Sequence, residues 1–188
     1  MKNPSLIPAL LAVATLAGPY TGHAAAPTGS APTPTSPTHN TCPATDNTPP
    51  SWRTPTALTA ATNEAALPKA TLSPGQAARI HLANTANVYF AHTPARPDTS
   101  TDTSPTTGGM IRFTVPAAGT WRVMLGSRAW IDVLSNGTAI PSTAHHHGPA
   151  CSGIGKVVEF SLTPGTLYTL QLSGSSKPEI EVMIAPAQ

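Results

Sequence analysis

The chain has 188 residues, with 10 Lys or Arg against 8 Asp or Glu, a formal net charge of +2, and only 10% charged residues beside 22 Pro and 14 Gly. An average soluble domain carries about 25% charged residues, so neither a basic nucleic-acid footprint nor a polybasic membrane patch can be assembled from this composition. The length excludes a TIM barrel, which takes about 250 residues, and leaves one modest domain plus non-globular sequence.

Residues 1–24 read as a secretory signal peptide. Lys2 supplies the positive start, Leu6 to Ala17 is an uncharged apolar run, and Ala24 and Ala25 offer small cleavage positions ahead of Pro27. The run is shorter than the ~20 residues that span a bilayer, and Pro8 interrupts it. No later segment is long and apolar enough to cross a membrane. The mature chain is therefore expected to be periplasmic or secreted, with no transmembrane segment left after cleavage.

Residues 25–58 are expected to form a linker rich in Pro, Thr and Ser. Between Pro27 and Pro55 only Asp46 and Arg53 are charged, and Trp52 is the single large apolar side chain. Such sequence buries too little apolar surface to offset its ordering entropy. The section around Cys42 and Trp52 is the part able to dock onto a domain. Thr56 to Leu67 has the Ala and Leu content of a short helical turn, ended by Pro68.

Residues 59–188 are expected to be an all-β domain, an antiparallel β-sandwich of jelly-roll-like type. A weak threefold pattern of Pro/Gly turn and alternating strand runs through it. Its parts are Leu72–Gly75 with strands over Ala78–Leu82 and Asn87–Ala91; a strand at Ile111–Val115 with the turn Pro116–Gly119 and strands over Trp121–Leu125 and Trp130–Leu134; and Val157–Leu162, the turn Pro164-Gly165, Leu167–Leu172 and Ile180–Ile184. Ile111, Phe113 and Val115 alternate with Arg112 and Thr114, Val158, Phe160 and Leu162 with Glu159 and Ser161, and Tyr168, Leu170 and Leu172 with Thr169 and Gln171. Period-2 patterning of this kind gives each strand one buried and one wet face, as two packed antiparallel sheets require. Asn136-Gly137 is a hairpin turn signal, and Thr93 to Thr107 reads as a long polar loop.

Chemistry is sparse. No G-x-S-x-G elbow, phosphate-binding Gly loop or H-E-x-x-H occurs, and no catalytic residue is expected. The densest feature is Ala144-His145-His146-His147-Gly148-Pro149-Ala150-Cys151, taken as a loop. In an extended loop His145 and His147 point the same way, and with Cys151 they make three candidate ligands for copper or zinc; His92 is a further candidate. The same cysteine has a competing assignment. In an exported chain, Cys42 and Cys151 are expected to pair as a disulfide, and an oxidised Cys151 is no thiolate. On the strand Trp130–Leu134, Ile131 and Val133 take the core face, so Trp130 and Asp132 share the other, as in a sugar-type ligand platform.

The strings Ala118-Gly119-Thr120-Trp121-Arg122-Val123, Ala129-Trp130-Ile131-Asp132-Val133 and His145-x-His147-Gly148-Pro149-x-Cys151-x-Gly153-Ile154-x-Lys156-x-Val158-x-Phe160, with Cys42-Pro43 and Trp52, resemble a family of small exported proteobacterial proteins without an established function. Gly155 stands where that pattern carries Arg. Some members bear the name homogentisate 1,2-dioxygenase, but enzymes of that activity are far larger cytoplasmic cupins with a His/His/Glu iron site, which this chain does not provide. More loosely, the Pro/Gly-turn strands are similar to bacterial pre-peptidase C-terminal sandwich modules. The signal peptide, the alternating strands and the absence of a catalytic constellation lead to the expectation of an exported, non-enzymatic β-sandwich binding module that contacts a metal or small ligand through the His145/His147 loop. A small metal-dependent enzyme and a structural protein with an envelope partner are the alternatives.

Overall fold

The computed structural model describes Cys42, residues 48–95 and residues 104–187. The expected signal peptide, most of the expected linker and the middle of the Thr93–Thr107 loop lie outside the described residues. Asn40–Gln188 form one compact unit.

Eleven strands occur among the described residues: β1 (Thr56–Thr59), β2 (Ala77–His81), β3 (Ala83–Asn84), β4 (Thr107–Phe113), β5 (Gly119–Leu125), β6 (Trp130–Ser135), β7 (Thr138–Ile140), β8 (Ala144–His146), β9 (Lys156–Leu162), β10 (Tyr168–Ser175) and β11 (Glu179–Pro186). They form a six-stranded sheet in the order β1-β2-β11-β5-β9-β8 and a five-stranded sheet in the order β3-β4-β10-β6-β7. All pairings are antiparallel except β1 with β2. The fold is the expected β-sandwich.

The alternation sets which faces meet. Ala78, Ile80, Val123, Leu125, Val158, Phe160, Ile180, Val182 and Ile184 of one sheet pack against Ile111, Phe113, Ile131, Val133, Tyr168, Leu170 and Leu172 of the other. Most of these side chains are fully buried, and removing such surface from water at about 25 cal/mol per Å² is the main force holding the sheets together. Within the core the Phe113 and Tyr168 rings stack with centroids 5.4 Å apart. The Tyr168 hydroxyl accepts from Thr163 N–H at 2.9 Å, so the ring's polar end also has a partner.

Several strands are apolar on both faces, because both outer faces are covered as well. Met124, Val157, Met183 and Ala185 point away from the central core, yet they are buried in a second cluster with Trp52, Ala77 and Ile154. On the other sheet Met110 is buried with Ala61, Leu67 and Ala70, flanked by Ala66, Phe90 and Ala91. The crossover from β1 to β2 does part of this covering. Ala61 exchanges both backbone hydrogen bonds with Met110, while Leu72 N–H bonds to the Arg112 carbonyl and Arg112 N–H to that of Ala70. The edge of β4 beyond the short β3 is thereby paired rather than left open.

The structure corrects the sequence reading at four places. The sandwich crosses residue 59, since β1 starts at Thr56 and the 3-10 helix Pro50–Arg53 before it buries Trp52. Thr56–Leu67 is not one helical turn: β1 pairs in parallel with β2, and a 3-10 helix over Glu64–Lys69 then runs through Pro68, capped by the Asn63 side chain accepting from Ala66 N–H. Asn87–Ala91 is not a strand, because Asn84 caps a 3-10 turn at Thr85–Asn87 and the chain then crosses the outer face of the five-stranded sheet. Ala144–His146 is not loop but the edge strand β8, held by pairing with β9.

The hairpin at Asn136-Gly137 forms as expected, with Ser135 opposite Thr138 and both turn residues at positive φ, 48° and 76°. Open space surrounds a Cβ at Gly137, so the cost of a side chain there is backbone strain alone. Gly137→Ala is expected to destabilise the domain by about 1 kcal/mol, read as a lower urea midpoint at unchanged m.

Candidate functional site

The outer face of the six-stranded sheet carries a groove of about 790 Å³. Its floor is Arg122 and Met124 of β5 with Val157 of β9. One wall is His146, His147, Gly148, Pro149 and Ile154; the other is Thr48, Pro49 and Pro50. The volume falls within the ~300–1,000 Å³ range of small-molecule sites.

Each wall has a local cause. Beyond β8, the Ser152 hydroxyl donates to the Pro149 carbonyl at 2.6 Å and accepts from Ile154 N–H at 3.1 Å, which curls residues 149–154 into a compact turn. Gly148 passes so close to Ile154 that a Cβ would run into its carbonyl oxygen and side chain, so only glycine fits there. The opposite wall is held by Trp52, which is 8% exposed and buried among Met124, Ile154, Val157 and Met183. It is held further by the Ser51 hydroxyl, which donates to the Gly75 carbonyl at 3.0 Å. The Cys42–Cys151 disulfide joins the two walls covalently across 109 residues of sequence.

The imidazoles are already engaged. His146 Nδ1 lies 3.0 Å from the His147 carbonyl and its Nε2 3.5 Å from Glu159 Oε1. His147 Nδ1 donates to the Gly155 carbonyl at 3.1 Å. Two other polar groups on the groove have no partner among the described residues: the buried Thr48 Oγ1 and the buried Arg122 Nε. Glu159 is the cross-strand neighbour of Arg122 in the β5–β9 register, yet its carboxylate turns to His146, and Arg122 makes no ion pair among the described residues.

The candidate metal ligands do not assemble. Cys151 is oxidised, so it offers no thiolate. His145 pairs with Val158, a core-facing residue, while His146 pairs with outward-facing Val157; the groove takes His146 and His147 and not His145. His92 sits over the other sheet, where its N–H and carbonyl bond both ends of the buried Gln171 amide at 3.0 Å. No group of three or more His, Cys, Asp or Glu side chains is gathered for a metal ion among the described residues.

Trp130 and Asp132 do share a face, but the carboxylate is spent internally. Asp132 is 6% exposed; its Oδ1 accepts from Trp130 Nε1 at 3.0 Å and its Oδ2 from Ala95 N–H at 3.3 Å. Lys156 Nζ lies 5.2 Å from the Trp130 ring centroid and donates to the Ala129 carbonyl.

Sequence reasoning passed over Thr48, Arg122 and His146. The signal that could have found them is the doubly apolar strand. Val123-Met124-Leu125, Val157-Val158 and Met183-Ile184 leave no wet face, which announces a second covered surface beneath which Arg122 must lie.

No family model and no curated protein matches the chain. Among solved structures it is similar to part of a β-glucosidase from Kluyveromyces marxianus in complex with glucose, at 13% identity over 50% of this chain and 12% of that one, with a TM-score of 0.30. It is also similar to part of a β-glucosidase from Paenibacillus barengoltzii, at 19% identity over 69% and 13% of the two chains, with a TM-score of 0.23. The chain thus spans about an eighth of each enzyme, and likenesses at this level carry no argument about activity.

Proposed function

We propose that the mature chain is an exported binding module that takes a small organic ligand in the groove between the His146/His147 wall and the Thr48–Pro50 wall. The observation that carries this reading is the groove itself: a volume of small-molecule size whose floor sets the apolar Met124 and Val157 beside the cationic Arg122. The disulfide supports the export half of the reading, because such bridges persist in oxidising compartments. The resemblance to small exported proteobacterial proteins agrees with it.

Two measurements test the proposal. An intact mass of chain expressed with its own N-terminus, alkylated without reduction, is expected to show cleavage after Ala24 or Ala25 and no added alkyl group. A fragment screen by amide chemical shift on the oxidised mature chain is expected to give hits that converge on Met124, His146, His147 and Ile154. Hits scattered over both sheets, or none, would remove the groove as a binding site.

A further inference from the structure

We infer that the groove selects an organic anion, a carboxylate or comparable monoanion on an apolar body, and that Arg122 is the residue that reads its charge. The inference rests on the groove being a ligand site and adds the chemical class. A guanidinium stays charged at any physiological pH, and Arg122 is half-buried on the groove floor. Here Nε is shut off from water without an acceptor. The carboxylate best placed to neutralise it, Glu159 on the adjacent strand, faces His146 instead. The cation therefore makes no ion pair among the described residues, on the floor of a groove large enough for a small molecule.

A guanidinium matches the planar geometry of a carboxylate better than an ammonium does. Around Arg122 the groove residues Met124, Val157 and Ile154 are apolar, so a bare inorganic anion leaves most of the lining unused.

The test compares hexanoate, hexanamide and inorganic phosphate, titrated into the oxidised mature chain and followed by amide shifts. Hexanoate is expected to shift the backbone of the groove residues. Hexanamide and phosphate alone are expected to bind about tenfold more weakly or worse, the worth of a charge-assisted hydrogen bond or of the apolar body. Arg122→Gln is expected to abolish the difference between acid and amide. Should that variant fail to fold, Arg122→Lys keeps the charge without the planar fork and is expected to weaken hexanoate several-fold. Equal binding of acid and amide, or hexanoate binding indifferent to Arg122, overturns the anion inference and leaves the groove as a ligand site. Neutral fragments filling the groove while hexanoate stays out have the same meaning. If neither hexanoate nor any fragment engages the groove, the inference and the reading beneath it fall together.

Discussion

Replacing both cysteines, Cys42→Ser with Cys151→Ser, will lower the unfolding free energy by about 2–5 kcal/mol. The bridge spans 109 residues of sequence, and loss of a cross-link frees the unfolded chain of a constraint that the chain-entropy argument puts near ~4.7 kcal/mol for a loop of about 100 residues. At roughly 2–4 °C per kcal/mol for a domain of this size, Tm should fall by about 10 °C. Calorimetry with and without reductant measures it directly, and both routes should agree. A Tm that moves by less than about 2 °C would mean that the reduced unfolded chain keeps its ends together by other means. The double substitution is preferred to Cys42→Ser alone, which leaves a free thiol at Cys151 able to form intermolecular bridges.

Trp52→Ala is expected to cost about 3–5 kcal/mol. The indole is 8% exposed and sits among Ala77, Met124, Ile154, Val157, Met183 and Ala185. Nothing in the sandwich core can expand to refill the space, because this cluster lies on the outer face of the sheet. Urea unfolding will show a lower midpoint at unchanged m; a loss under 1 kcal/mol would mean that residues 48–55 contribute little to the domain. The two substitutions act on the same segment by different physics, one through the unfolded chain and one through the native contacts. Their effects should add if the segment stays docked without the bridge, whereas a coupling beyond ~1 kcal/mol would report that it detaches.

The central sandwich was legible from sequence because alternation is a local signal. Ile111, Phe113 and Val115, or Val158, Phe160 and Leu162, name a buried face without reference to any other residue, and all six are buried in the core. The Asn136-Gly137 turn was equally local. What stayed hidden was decided by partners distant in sequence. Ala144–His146 carries no alternation and becomes a strand only because β9 offers it an edge. Thr56–Thr59 has no pattern that distinguishes a parallel partner for β2 from a helical turn.

The site was less legible than the fold. The three histidines drew attention to one wall of the groove, but the one assigned away from the pair, His146, is a groove residue while His145 is not. That exchange follows from the β8–β9 register, which sets His145 opposite core-facing Val158 and His146 opposite outward-facing Val157, a detail no spacing rule supplies. Arg122 was invisible for a different reason. An arginine on the outward face of a strand is by default solvated, and it becomes a site residue only because Trp52 and the Cys42–Cys151 bridge bring a second wall over it. Asp132 shows the reverse case, a carboxylate placed on the expected face whose oxygens are consumed by Trp130 and the Ala95 amide.

The groove thus exists because two segments far apart in sequence are clamped together, and the most direct measurement is hexanoate affinity in the Cys42→Ser/Cys151→Ser protein beside the oxidised wild type at a temperature where both are folded. The account predicts an affinity about tenfold lower without the bridge, since the Thr48–Pro50 wall is then less well ordered for binding, while amide shifts of core residues such as Val123 and Leu170 stay unchanged. Equal affinity in the two proteins would contradict it: the ligand would then need only the His146/His147 wall and the sheet.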